Sequence, residues 1–176
     1  MNSAIGFLDH SQKLGPFPGR FPLDKLIWPL GQPAKLRGQS LRDLEAIDHL
    51  VLPPRTTNYF RPSFGTKAKV SIMVLEPRIV QQRHIARLRR FYRRFESILT
   101  FYPELLDLPN ARFLPFGSTW IPDWRNLEIK KTKNISLIAS ARRTQPGHHI
   151  RHSIVAWARD QGVELEALET GLIASK

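Results

Sequence analysis

The stretch KNISLIASARRTQPGHHIR, from Lys133 to Arg151, decides the fold. Its apolar run from Ile135 to Ala139 has the length and branched content of a buried strand. A basic loop follows, and we expect a helix from about residue 148 to 161, with Gly162 in the position of a C-terminal cap. A further strand is expected from Val163 to Leu168. Strand, helix and strand in this order predict a βαβ unit with parallel strands.

The loop of this unit predicts a site for an anion, such as a phosphate or diphosphate. Backbone N–H groups and the positive end of the helix dipole point at a ligand held in front of a helix. The side chains of Arg142, Arg143 and Arg151 add charge-assisted, potentially bidentate contacts. A solvated basic loop is the alternative interpretation of the same residues.

Composition favours anionic partners. The 176 residues suit one full domain, or one domain and part of a second. Lys and Arg number 27 against 15 Asp and Glu, a net charge of +12, which is suited to nucleotides, nucleic acid or an acidic membrane surface. The chain has no cysteine, which excludes disulfides and thiolate metal sites. With no secretory signal and no apolar run near the ~20 residues needed to cross a bilayer, we expect a cytoplasmic protein without a transmembrane segment.

Upstream of this unit, the sequence predicts a second α/β region. Ala68 to Leu75 (AKVSIMVL) reads as a central strand. Shorter strands are expected at 48–52 and 97–101, with an extended segment at 111–116. The Pro- and Gly-rich residues 15–54 predict loops and one short helix near 39–47, which Ser40 could cap.

The clearest helix runs from Ile79 to Glu96. Its apolar residues fall on one side and its arginines on the other, a pattern set by 100° per residue. The arginine face could bind nucleic acid or anionic lipid, or it could be the solvated outer face of an α/β layer. We favour the solvated face, because the apolar stripe is narrow and no nucleic-acid motif accompanies it. The apolar residues are Ile85, Leu88, Phe91, Tyr92 and Phe95, and the arginines are Arg83, Arg87, Arg89, Arg90, Arg93 and Arg94.

Glu76 ends the predicted central strand, and Pro77 stops that strand at once. A carboxylate at the carboxyl end of a parallel strand lies where ligands bind in open α/β folds. Desolvation there can raise a carboxyl pKa and suit the group to general-base catalysis. The structural alternative, favoured by the residues alone, is an ion pair of Glu76 with Arg78 or Arg83.

Three histidines at the start of the predicted last helix suggest a metal site, but the pattern is incomplete. His148 and His152 share one helical face, whereas His149 points elsewhere. No glutamate completes an HExxH motif, and no third ligand is evident. We therefore expect no metal, and we favour imidazoles that line the anion pocket.

Three segments in a fixed order resemble the family 10 glycosyltransferases, the α-1,3-fucosyltransferases, in their bacterial branch. They are SIMVLEPR (71–78), FESILTFYPELLDLPNARFLPFGSTWIP (95–122) and KTKNISLIASARRTQPGHHIRHSIVAW (131–157). They are similar to the strand with the family's catalytic carboxylate, to its second strand with a loop and Gly-containing turn, and to the Lys-x-x-x-Ser-x-x-x-Ser strand that opens its donor domain. The likeness covers roughly residues 48–165.

The resemblance implies a GT-B architecture of two Rossmann-like domains with the active site between them. It implies transfer of fucose from GDP-fucose to a glycan acceptor with inversion, with no cofactor and no obligatory catalytic metal. By this resemblance Glu76 stands at the general base, Arg151 meets the donor diphosphate, and Ser140 lies at the end of the strand beneath it. Arg142 and Arg143 belong to the same predicted diphosphate site.

The resemblance also predicts the domain organisation. Residues 1–125 would form the acceptor-side domain and residues 126–176 the start of the donor domain, with the Trp-containing STWIPDW (118–124) at the boundary. The chain closes with ETGLIASK and carries neither the Phe/Tyr…Glu-Asn segment nor the Tyr-x-Thr-Glu-Lys segment of the family. We therefore expect a truncated and inactive transferase fragment with a possible missing second half. The alternative is a basic, non-catalytic α/β module that binds nucleic acid or anionic surfaces.

Overall fold

A computed structural model of the chain describes residues 3–115 and 124–169. Its contacts divide the chain into two compact units, Met1–Ser118 and Thr119–Lys176, which are described separately. The boundary segment STWIPDW, apart from the backbone of Trp124, lies outside the described residues, as do residues 170–176. In the ranges that are described, no helix has both the length and the apolar character that crossing a bilayer requires.

The first unit is built on a parallel sheet of five strands. They are β1 (Ile5–Phe7), β2 (His49–Leu52), β3 (Lys69–Val74), β4 (Ile98–Thr100) and β5 (Ala111–Phe113). Each strand pairs with the next one along the chain, so the spatial order is β1-β2-β3-β4-β5. The predicted α/β class is confirmed, and the sheet is compatible with a Rossmann-like domain.

Helices connect the later strands, as parallel pairing requires. α1 (Thr56–Phe60) follows β2, α2 (Arg78–Phe91) follows β3, and α3 (Pro103–Leu106) follows β4. The long connection from β1 to β2 contains four short 3-10 turns instead of a helix. Because parallel crossovers are right-handed, a sheet whose strands follow chain order receives its helices on one side.

That side of the sheet forms the hydrophobic core. Alternate residues of the central strands are fully buried, as in Leu50, Leu52, Ile72 and Val74. They belong to one cluster with the buried side chain of Leu88 on α2. Burying a side chain of this size stabilises the folded state by about 1.5–3 kcal/mol, so these strands and α2 depend on each other.

The opposite side of the sheet is covered less completely. Val51 lies there and is buried, whereas Phe7, Met73 and Leu99 on neighbouring strands are only half-buried. Parallel sheets are usually covered on both faces. The poorer coverage of this side agrees with the strand order. The described strands follow chain order without a reversal, so their crossovers lie on the other side.

Several predicted elements differ from the structure at their ends. The helix expected over 79–96 ends at Phe91, where φ of −112° departs from helical values and a 3-10 turn, Tyr92–Arg94, follows. The helix expected near 39–47 is only a 3-10 turn, Leu41–Asp43, although Ser40 does cap it: its N–H and hydroxyl both donate to the Asp43 carboxylate. The sequence analysis predicts neither strand β1 nor helix α1.

The second unit is the predicted βαβ motif. β6 (Ser136–Ala139) and β7 (Glu166–Glu169) pair in parallel, and α4 (Pro146–Asp160) connects them. Gly162 follows α4 with φ of +64°, a value that favours glycine and that the sequence had indicated for the helix cap. A 3-10 turn, Trp124–Asn126, precedes the motif.

The apolar stripe of α4 is largely exposed. The stripe consists of Ile150, Ile154, Trp157 and Ala158. Only Ala158 is buried, while the first three residues are 60%, 41% and 57% exposed. The side chains that are partly covered, His148, His152 and Val155, lie on a different side of the helix. The helix therefore presents an uncovered apolar surface.

Asp48 fastens the start of β1 to the start of β2. Its side chain is 1% exposed. One carboxylate oxygen accepts the N–H of Ala4 at 2.9 Å, and the other accepts the N–H of Glu45 at 2.8 Å. The same carboxylate thus satisfies two backbone donors, one of them 44 positions away in the chain and the other three positions away.

We expect Asp48→Ala to lower the free energy of unfolding by about 2–4 kcal/mol, because the buried N–H of Ala4 and the partly buried N–H of Glu45 would lose their acceptor. Urea denaturation measures the change, with Asp107→Ala as the control, since Asp107 is exposed at the end of α3. Equal stability of the two variants would show that the Asp48 contacts contribute little.

Candidate functional site

The carboxyl ends of β1, β2 and β3 meet at one edge of the sheet and enclose a small crevice. Its volume is about 250 Å³. Phe7, Val51, Met73 and Leu75 supply apolar walls, and Glu76 is among the lining residues. The crevice opens on the less covered side of the sheet, where a ligand can reach the strand ends.

Glu76 lies where the sequence places it, just after β3, and its side chain is exposed. The hydroxyl of Tyr102 donates a hydrogen bond to the Glu76 backbone carbonyl. Burial raises the pKa of Tyr102, with Arg78 acting in the opposite direction, so the hydroxyl keeps its proton for this bond. The contact ties the bend that carries Glu76 to the chain that follows β4.

The ion pair expected as the structural alternative for Glu76 is not formed. Arg78 pairs with Glu104 instead, so the prediction of a Glu76–Arg78 bridge is wrong. Within residues 3–115 and 124–169, no ion pair involves Glu76 or Arg83. The Glu76 carboxylate is therefore available to a ligand.

The predicted anion-site residues come together in the second unit. Ser140 follows β6, and its carbonyl accepts a hydrogen bond from Nε2 of His152 at 3.1 Å. This bond joins the end of the strand to the second turn of α4 and employs one of the histidines considered for a metal. Arg142, Arg143 and Arg151 are exposed around the same junction.

At the described start of α4, neither the residue before the helix nor the first turn supplies a group that neutralises the positive end of the helix. Gln145 precedes the helix without a side-chain cap, and the first turn contains no acidic residue. The helix dipole and the three arginines therefore act on an anion in the same sense. Among the described residues, no cluster of three or more His, Asp or Glu side chains could hold a metal ion.

The arginines of α2 and the turn after it contact other parts of the first unit. Arg87 donates to the Thr56 hydroxyl at 2.9 Å, and Arg89 donates to the Glu104 carbonyl at 2.6 Å. Arg94 donates to the Arg61 carbonyl. These contacts give the arginines a structural role and make the face less suitable for a long polyanion.

A larger cleft, which the sequence did not reveal, lies in the first unit. Its volume is about 820 Å³, and the segments around residues 10–16, 54–61 and 80–84 line it. We call it the basic cleft, because Lys13, Arg55 and Arg61 are among its lining residues. The residues come from three distant parts of the chain, so no local motif marks them.

His84 lines the basic cleft from α2 and contacts the buried Tyr59. The Tyr59 hydroxyl and Nδ1 of His84 are 3.1 Å apart. Burial raises the pKa of Tyr59, and burial together with the charge of Arg87 lowers the pKa of His84. The Tyr59 phenol therefore keeps its proton and the imidazole is neutral, and the tautomer of His84 sets the direction of the hydrogen bond between them.

Comparisons of the chain with protein-family models, with curated proteins and with solved structures find no match.

His84 makes stability depend on pH. Its folded-state pKa lies below its ordinary value of 6.5. The unfolded state therefore takes up a proton first as the pH falls, and stability present above about pH 6.5 is lost towards the folded-state pKa. We expect His84→Asn to flatten the dependence of the unfolding free energy on pH as the pH falls below about 6.5. Urea denaturation of both proteins across this window measures it, and parallel curves would contradict the assignment.

Proposed function

We propose that the chain belongs to the family 10 glycosyltransferases, and that it takes part in inverting transfer of fucose from GDP-fucose to a glycan acceptor. The proposal depends on one observation above all. The carboxylate that resembles the family's general base, Glu76, is exposed at the carboxyl end of a parallel strand and is not consumed by the ion pair that would have explained it structurally. In this proposal the two units are the acceptor side and the donor side of a GT-B transferase.

The acceptor would occupy the crevice beside Glu76. An apolar wall of Phe7, Val51 and Met73 suits the less polar face of a sugar ring, and the carboxylate at the opening can accept a hydroxyl proton. Inverting transfer needs such a base on the acceptor hydroxyl as the new glycosidic bond forms. The bond between Tyr102 and the Glu76 carbonyl would hold the backbone of the base in position.

The donor diphosphate would lie at the N-terminus of α4. Ser140 marks the end of β6, and Arg142, Arg143 and Arg151 supply positive charge around an uncapped helix start. Negative charge develops on the leaving GDP as the sugar bond breaks, and fixed cations with helix N–H groups stabilise that charge. No metal and no cofactor is needed for this step.

The second candidate, a basic module that binds nucleic acid or anionic surfaces, would use the net charge of +12. The contacts of Arg87, Arg89 and Arg94 with oxygens of the same unit favour the transferase instead. The two functions differ in selectivity: a transferase should prefer GDP to other polyanions of equal charge, whereas binding driven by charge should follow salt concentration alone.

We expect Glu76→Gln to reduce transfer by about 10²–10⁴-fold, because Gln keeps the shape but cannot take the acceptor proton. The assay measures fucose transfer from GDP-fucose by the chain fused to the donor domain of a family 10 fucosyltransferase. Melting temperature is the control, and it should not change because the Glu76 side chain is exposed. Full activity with a lowered melting temperature would remove Glu76 from the reaction.

We expect Arg151→Ala to weaken GDP binding about tenfold or more, in the range for a hydrogen bond to a charged group. The matched control is Arg89→Ala, which removes the same charge from α2, where Arg89 donates to the Glu104 carbonyl. Titration calorimetry at two salt concentrations measures both variants. Equal losses that follow salt would replace the diphosphate site with a diffuse basic surface.

A further inference from the structure

The basic cleft of the first unit carries positive charge without a counter-ion. Lys13, Arg55 and Arg61 line it together with His84. No Asp or Glu is among the described residues that line it. Cations grouped in a concave surface, without carboxylates, attract and hold a small anion.

Two of these cations are held in place by the protein. Arg61 donates from a terminal nitrogen to the Gly15 carbonyl at 3.2 Å, and Arg55 donates to the His10 carbonyl. The Nε atoms of both arginines are buried and have no acceptor. These bonds fix each guanidinium against the loop of residues 10–15, so an anion in the cleft would find it already oriented.

Burial makes this charge costly in the absence of a ligand. Removal of the guanidinium from solvent lowers the pKa of Arg61. A partly desolvated cation without a negatively charged partner destabilises the folded state, and a bound anion would offset the cost. None of the described lining residues is an Asp or Glu that supplies this negative charge.

Gln81 adds a second kind of ligand contact. It lines the basic cleft from α2 and is 2% exposed, yet its Oε1 is buried without a hydrogen-bond donor. A buried carboxamide oxygen without a donor is unfavourable and rare in folded proteins. Because a carboxamide can turn to present either its oxygen or its amide hydrogens, the ligand group that suits it best is a hydroxyl.

We propose that the basic cleft binds a sugar phosphate. The phosphate lies among Lys13, Arg55 and Arg61, and a sugar hydroxyl bonds to Gln81. Phe60 and Val80, which also line the cleft, contact the less polar face of the sugar. The volume of about 820 Å³ is in the range of small-molecule sites. Gln81 also lines the crevice beside Glu76, so the two sites adjoin. The three cations are not among the residues assigned to fucosyl transfer, and this proposal does not depend on that one.

The test is a titration of the full chain with glucose 6-phosphate, inorganic phosphate and glucose at constant ionic strength, followed by calorimetry and by amide NMR shifts. We expect glucose 6-phosphate to bind more tightly than either of its parts, with shifts in the segments 10–16, 54–61 and 80–84. No saturable binding of glucose 6-phosphate, or shifts confined to other segments, would overturn the proposal.

Two variants separate the charge from the hydroxyl contact. Lys13→Gln should weaken both phosphate-containing probes about tenfold. Its control is Lys67→Gln, which removes an exposed charge outside the cleft and should have no effect. Equal losses from the two variants would show that binding follows the overall charge and would overturn the site.

Gln81→Met should weaken glucose 6-phosphate but not inorganic phosphate, because only the sugar contacts the carboxamide. The melting temperature should stay the same or rise, since an unpaired buried amide is replaced by an apolar side chain of similar size. Gln81→Leu serves as the second variant if Met does not fold. Unchanged glucose 6-phosphate affinity in a folded Gln81 variant would overturn the assignment of the hydroxyl contact.

Discussion

The parallel pairing of strands in chain order is the constraint on which the first unit depends. A parallel sheet needs a crossover after every strand, and crossovers of one hand bring the helices to the same side when the order never reverses. The core therefore forms between that side and α2, through residues such as Ile72 and Leu88. The same arrangement collects all the carboxyl ends at one edge. Glu76 and the loop that carries His10 meet around the crevice there, because each follows directly from a strand that the core has fixed.

Positively charged side chains have two uses in this protein, and the surroundings of each side chain distinguish them. On α2, arginines such as Arg89, which donates to the Glu104 carbonyl, form hydrogen bonds to oxygens of other segments. These bonds hold the segments together. In the basic cleft and at the start of α4, the cations surround a cavity or a helix end that contains no carboxylate. A net charge of +12 alone does not distinguish these uses. The surroundings of each guanidinium do, because Arg55 and Arg61 also donate to backbone carbonyls but line a cleft.

The sequence predicted the elements whose patterns are local and missed features that depend on distant contacts. Strand β3, the start of α2 and the βαβ motif follow from apolar runs and periodicity. The early end of α2 at Phe91 does not, because the apolar stripe continues through Phe95 while the backbone turns. The basic cleft could not be predicted, because its lining residues come from three segments that are far apart in the chain. One signal was available: Gln81 is spaced four residues before Ile85 and seven before Leu88, so a polar residue occupies a position of the buried stripe.

The order of the strands also bears on how the protein is made. From β2 onward each strand pairs with the strand that has just preceded it, so every new pairing joins segments that are close along the chain. Contacts of this kind close small loops and form quickly. A ribosome releases the chain from its N-terminus, and each strand and helix can add to a sheet that is already present. The exception is β1, whose contact through Ala4 and Asp48 spans 44 positions. Before β2 emerges from the exit tunnel, β1 can pair only outside the sheet, as in the antiparallel bridge of Phe7 with Ile27.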